Sequence, residues 1–281
     1  MDSARPAPKV RPQRGGPLHL EIIAVGRDLL RGQVAEANGQ AIATLFAQRG
    51  GLVHRVTVVD DNERVIETTL REALDRNPNL VVLTGGLGPA PDDVTLAGVA
   101  RTLGQPLAIS PMARGMIEET YQRLATSRRV RSAGLNLARE KMCRLPVGST
   151  PLANAKGIPP GVLCKLAGGA AVLCLPGAPD EAIAMLHDAL PLLQEILPQS
   201  FTARREVEAP YPDESMLRPL LEQMTDEFPG LWITSRPVKT GRHKETSVLV
   251  CLEATAPTED DANAVVGSAV RRLLAVVGGA R

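Results

Sequence analysis

The chain has 281 residues, enough for about two domains at ~150 residues each and for at least one sizeable hydrophobic core. Its 32 Lys and Arg against 31 Asp and Glu leave a formal charge of +1, which excludes the broad electrostatic footprint of a general nucleic-acid or anionic-membrane binder. With 44% hydrophobic and 22% charged residues it reads as an ordinary globular protein; the 2% aromatic content calls for an aliphatic core and argues against base-stacking platforms.

The opening segment, residues 1–17, combines basic residues with several prolines and reads as a disordered tail. Leu18 to Val25 then reads as a strand, and Ala35 to Gln48 repeats apolar residues at helical spacing up to Gly50-Gly51. Leu52 to Val59 is a second strand, Glu63 to Asp75 a helix, and Leu80 to Leu83 a fully apolar strand that runs into a glycine turn. Apolar strands alternating with helices predict a mostly parallel sheet with helices on both faces. Helices follow over Asp93 to Leu103 and Pro111 to Ala125, the second entering the basic stretch SRRVRSAG. Leu145 to Leu166 is rich in Gly and Pro, as in a functional loop or an irregular hairpin. Ala170 to Leu175 is another buried strand, ending at Pro176-Gly177 before a helix from Asp180 to Leu190.

Around Pro198 the pattern restarts, with a strand over Arg205–Ala209, a helix over Glu214–Glu227, strands over Leu231–Ser235 and Thr246–Ala254, and a helix over Glu259–Val276. This predicts a small α+β domain at 199–281 after an α/β domain at 18–198. Cys143, Cys164, Cys174 and Cys251 include no CxxC pair and read as reduced core thiols. The four histidines are scattered, which gives no support to a His-based metal site. No apolar run approaches the ~18 residues of a membrane span, and the first 17 residues have no apolar signal core, so a cytoplasmic location is expected.

The richest segment chemically is Thr84-Gly85-Gly86-Leu87-Gly88-Pro89-Ala90-Pro91-Asp92-Asp93-Val94-Thr95, at the carboxyl end of an apolar strand, where open α/β sheets bind ligands. Gly85, Gly86 and Gly88 let the backbone approach an anion and turn N–H groups toward it. Asp92 and Asp93 would repel that anion unless a divalent cation, Mg²⁺ or Mn²⁺, bridges them. The plain alternative is a tight turn with one Asp as helix N-cap. Two other junctions are polar: Gly26-Arg27-Asp28 to Gly32, and Asp60-Asp61-Asn62. In a parallel sheet these edges converge, so Asp28, Asp61 and Asp93 are candidates to share a metal, with Asn38 at the same edge. Equally, Asp61 and Asn62 suit helix caps and Asn38 a solvated helix position.

The run GxxLLxG, Asn38, Asp61-Asn62, TGGLGPxxDDxT, and LPGxPxE at Leu175 to Glu181 resembles the N-terminal domain of the CinA (competence/damage-inducible) family, a branch of the molybdopterin-binding domains. Lys141 to Pro146 and Asn154 to Gly161 are similar to a further family region, and Tyr211 to Leu221 to a helix of the small KH-like domain that follows. The amidase domain of full-length members has no counterpart in these residues, so deamidation is not expected. The resemblance implies metal-dependent hydrolysis of the pyrophosphate in ADP-ribose-like nucleotides, with Mg²⁺, Mn²⁺ or Co²⁺ and K⁺ as a candidate second ion. It implies that Gly85, Gly86 and Gly88 hold phosphate, that Asp93 and Asp61 bind metal or orient water, and that Asn38 contacts the ligand. Gly26, Asp28 and Asp92 join the ligand-binding set, Gly177 and Glu181 close the pocket, and Lys141 offsets charge on the leaving phosphate. A homodimer is the assembly it implies.

Departures from the family pattern are Arg27-Asp28 where relatives have Thr-Glu, Asp60 for a glycine, Ala90 for a threonine and Ala178 for a proline. Arg27 adds a guanidinium that is a candidate phosphate clamp. The leading expectation is a nucleotide pyrophosphatase, and the alternative a non-catalytic molybdopterin or nucleotide binder linked to molybdenum cofactor metabolism. Partners are then a nucleotide diphosphate or a pterin phosphate, with no nucleic acid and no membrane. A nucleic-acid adaptor is disfavoured because a GxxG clamp is missing, and Lys239 to Lys244 reads as a solvated hairpin tip.

Overall fold

The computed structural model describes residues 8, 10, 18–196, 200–240 and 245–278. The boundary expected at Pro198 and most of the tip at Lys239 to Lys244 lie outside them. Of the tail expected at 1–17, Pro8 and Val10 alone are described. Val10 is buried in the main core, so the expectation of a wholly disordered tail is corrected there.

The chain divides into two compact units, the first running to Pro198 apart from Ala47–Gly50, which groups with the second. In the first unit the elements are β1 (Leu18–Val25), α1 (Arg27–Leu30), α2 (Asn38–Ala47), β2 (Gly51–Val59), α3 (Glu63–Asp75), β3 (Leu80–Thr84) and α4 (Thr95–Leu103). They continue with β4 (Leu107–Ile109), α5 (Pro111–Thr126), α6 (Leu137–Lys141), β5 (Arg144–Pro146), β6 (Thr150–Leu152), β7 (Gly161–Lys165), β8 (Ala171–Leu175) and α7 (Pro179–Ala189).

Six strands form one sheet in the order β2-β1-β3-β8-β7-β6. The first four are mutually parallel, and β7 and β6 add antiparallel, so the Gly/Pro-rich stretch after Leu145 resolves into a hairpin. Side chains alternate across the sheet as the period of two requires. Val81 and Leu83 of β3, with Val172 and Cys174 of β8, pack under Ile66, Leu70 and Leu74 of α3 and Val99 of α4. Leu80 and Val82, with Leu173 and Leu175, pack under Ile42 and Phe46 of α2 and Met185 and Leu186 of α7. Both faces are therefore covered, which is why the strands read as unbroken apolar runs. β4 and β5 pair as a separate two-stranded sheet that propensity alone did not signal.

All four cysteines are free and buried; burial pushes the Cys164 thiol up to about 12 and that of Cys174 well above its ordinary value. No helix among the described residues is long and apolar enough to cross a membrane.

The second unit contains β9 (Phe201–Ala209), α8 (Arg218–Glu227), β10 (Leu231–Thr240), β11 (Glu245–Ala256) and α9 (Glu259–Val277), with an antiparallel sheet ordered β10-β11-β9. Its helices share one core with the sheet, including Met224, Val250, Leu252, Val266 and Leu273. The helix expected from Glu214 begins instead as a 3-10 turn over Glu214–Met216, and α8 starts with Pro219 in its first turn, where a missing N–H costs nothing.

Phe46 is fully buried on the α2–α7 face. Phe46→Ala is expected to lower unfolding free energy by about 3–5 kcal/mol in a denaturant titration.

Candidate functional site

The site is built where β1, β3 and β8 end side by side. Gly85 N–H donates to Leu175 O at 3.0 Å, and Gly177 approaches so closely that an added Cβ would lie 3.4 Å from Gly85 Cα. Gly85 has φ 93, and a Cβ there would meet Val25 O at 2.3 Å, so both backbone shape and space exclude a side chain. Gly86, with φ 66, is packed on Thr95, whose hydroxyl donates to Gly85 O at 2.8 Å while its N–H donates to Gly86 O at 3.2 Å. The turn is thus fastened through its carbonyls. Among the described residues, the backbone N–H groups of Gly86, Leu87 and Gly88 meet no acceptor.

Neither Asp caps α4. Its N-cap is Val94, with no side-chain hydrogen bond, and the helix starts at Thr95 rather than Asp93. Asp93 closes the turn instead: its Oδ2 accepts the Ala90 N–H at 2.8 Å and sits where a Cβ on Gly88 would collide at 2.7 Å. Lys141, at the end of α6, donates to Gly88 O at 3.1 Å and Ala90 O at 2.5 Å. Burial lowers its pKa, while Asp93 and Asp92 act the other way.

Asn38 opens α2 and is 6% exposed, not solvated. Its Nδ2 donates to Gly177 O at 2.9 Å, which orients the amide and leaves Oδ1 buried without a hydrogen-bond partner. Such an acceptor costs about 1–3 kcal/mol unless something supplies a donor. Asn62 is the cap of α3, accepting from Arg64 and Val65 N–H, whereas Asp61 turns to α1 and accepts the Arg27 N–H through Oδ2 at 2.7 Å. Gly26 donates to Val59 O at 3.0 Å, and Asp28 is exposed, its Oδ1 taken by Leu29 N–H. Glu181, in the first turn of α7, accepts from Asn154 Nδ2 at 2.7 Å and lies against Gly157.

Two expectations are corrected. Arg27 is not a free phosphate clamp: its guanidinium is bidentate on Asp60, Nε to Oδ1 at 2.7 Å and Nη2 to Oδ2 at 2.9 Å. The hydrogen bond holds the Asp60 carboxyl below the usual carboxylate range and raises Arg27. Nor do Asp28, Asp61 and Asp93 form a metal cage, since no group of three or more His, Cys, Asp or Glu among the described residues is placed to hold an ion. What does assemble is a charge cluster in which Arg27 feels Asp60, Asp61 and Asp92, and Lys141 feels Asp93 and Asp92. Asp61 and Asp93 each keep Oδ1 without a protein donor among the described residues. Ions such as Mg²⁺ commonly take one or two protein carboxylates, with phosphate oxygens and water completing the shell.

An α/β sheet covered on both faces, with a glycine turn offering free N–H groups at a strand end, is the architecture of an open α/β domain that receives ligands at its strand ends. A family described as a probable molybdopterin binding domain matches residues 21–195. Protein PH0439 of Pyrococcus horikoshii is 38% identical over 224 residues, 79% of this chain and 86% of its own length. A protein of Aeropyrum pernix is 36% identical over 253 residues, covering 90% of this chain and 91% of its own. The solved structure of CinA from Thermoplasma acidophilum, a protein described as of unknown function, is 33% identical with a TM-score of 0.57, covering 63% of this chain and 98% of that one. The chain belongs to the molybdopterin-binding domain family, and its first unit is CinA-like.

Asp60→Asn removes one side of the Arg27 pair. A carboxyl lowered by folding contributes stability above its unfolded pKa, near 3.8, that disappears as pH falls through the lower folded value. The variant should melt below wild type at pH 7, and the gap in Tm should close as pH drops well under 3.8.

Proposed function

We propose that this protein binds a phosphate-bearing nucleotide or pterin on the glycine turn and, with a divalent cation, hydrolyses the phosphoric anhydride of a nucleotide diphosphate of the ADP-ribose kind. The observation that carries the reading is the pairing of free N–H groups at Gly86, Leu87 and Gly88 with the unpartnered, buried Oδ1 of Asn38 beside Gly177. The N–H groups suit phosphate oxygens, and Asn38 Oδ1 suits an N–H or O–H donor on the same ligand.

Within that reading each residue has a distinct task. Gly85 and Gly177 let the strand ends approach, so the turn is preorganised before the ligand arrives. Lys141 fixes the turn carbonyls of Gly88 and Ala90 and places positive charge beside Asp93 and Asp92, which reduces their repulsion of phosphate. Asp93 and Asp61 would hold a divalent ion through their remaining oxygens, and such an ion would supply charge neutralisation at phosphate and a more acidic water. Asn38 orients the ligand, and the Asn154–Glu181 contact keeps the neighbouring loop against α7. The homodimer implied by the resemblance belongs to the same proposal.

Asp93→Asn keeps an oxygen for the Ala90 N–H, so the turn survives while the negative charge is lost. Hydrolysis of ADP-ribose to AMP and ribose 5-phosphate, followed by chromatographic release of AMP with Mg²⁺, Mn²⁺ and Co²⁺ and a chelator control, should show metal-dependent turnover that falls by about 100-fold or more in the variant. Binding without turnover of any nucleotide diphosphate by wild type would replace the hydrolase reading with that of a binding protein.

A further inference from the structure

Beyond the glycine turn, a groove of about 450 Å³ lies between the end of α5 and the loop before β7, with Pro89 of the turn in its wall. Arg123, Arg129 and Lys156 line it, over an apolar floor that includes Leu124 and Ile158. Among the described residues none of these three cationic side chains makes a hydrogen bond or ion pair. Glu181 is the single acidic side chain in the lining, and its Oε2 is already taken by Asn154.

A cation in the last turn of a helix is favoured by the helix dipole alone, so Arg123 by itself says little. Arg129 and Lys156 come from other segments, and the backbone brings them in. At the end of α5, Arg128 N–H donates to Ala125 O and Arg129 N–H to Leu124 O, the pattern of a Schellman turn. The left-handed position of that turn is Arg128, φ 56, where glycine is usual. This folds Arg129 back over α5. Lys156 is set by Asn154, whose Oδ1 accepts the N–H groups of Lys156 and Gly157 at 3.1 and 2.7 Å and whose Nδ2 binds Pro159 O and Glu181. At Gly157 a Cβ would meet Glu181 Oε2 at 1.9 Å, so a side chain there would displace the Glu181 carboxylate.

We propose that Arg123, Arg129 and Lys156 form a second anion subsite beside the glycine turn, which holds the phosphate adjoining the one on the turn. This rests on the reading that the turn takes the first phosphate. The ligand class is therefore a polyanion with at least two phosphates, and a monophosphate occupies the turn alone.

The test is calorimetric titration of the full chain, wild type and Arg123→Gln/Arg129→Gln/Lys156→Gln, with inorganic pyrophosphate and with AMP. The three side chains are exposed, and an unchanged thermal melt verifies that the variant is folded. Pyrophosphate affinity is expected to fall about tenfold or more in the variant while AMP affinity stays within about twofold, since charge-assisted contacts are lost from one subsite only. Pyrophosphate binding that is absent from wild type or unchanged in the variant, or an equal loss for AMP, overturns the subsite. If wild type binds pyrophosphate in a manner that depends on the three cations but does not bind AMP, the subsite stands and the reading of the glycine turn falls.

Discussion

The close approach of three strand ends governs the site. Val25 O, Gly85 and Gly177 lie so near one another that a single methyl at Gly85 would sit 2.3 Å from the Val25 carbonyl. The sheet can pack this tightly because β1, β3 and β8 run in register with apolar side chains on both faces and no bulk at their carboxyl ends. Once Gly85 N–H is spent on Leu175 O and the carbonyls of Gly85 and Gly86 on Thr95, the next three N–H groups have no partner among the described residues. The free N–H groups thus follow from the packing of the strand ends on Gly85, with Thr95, Asp93 and Lys141 fastening the rest of the turn.

The polar junctions at the ends of β1 and β2 are joined by one ion pair. Arg27 and Asp60, two positions at which the sequence departs from the family pattern it resembles, meet as a bidentate pair. The end of β1 is thereby tied to the end of β2, and Asp61 stays in place to cap α1 through the Arg27 N–H. Arg27 and Asp60 thus offset each other's charge, and Lys141 faces Asp93 and Asp92.

Much of this was legible in the sequence. The buried strands announced themselves as apolar runs, and the helix at Glu63–Asp75 coincides with its predicted span because its amphipathic pattern and Asn62 cap agree. The family membership was legible in the glycine turn and its neighbours. Three-residue strands such as β4 and β5 were not, since they are set by tertiary pairing rather than by periodicity. The start of α4 was misplaced by two residues because Asp93 binds the turn behind it instead of capping the helix ahead. The burial of Asn38, the Arg27–Asp60 pair and the placing of Arg129 beside Lys156 all join segments distant in sequence, and single-chain patterns carry no signal for such contacts.

The central claim, that the turn at Gly86–Gly88 and Asn38 wait together for one phosphate-bearing ligand, is tested most directly by backbone and side-chain amide NMR during titration with AMP. The account predicts saturable shifts, with a common affinity, at the N–H groups of Gly86, Leu87 and Gly88 and at the Asn38 side-chain amide. Saturable binding that leaves these signals unmoved, or moves the turn without Asn38, would contradict it.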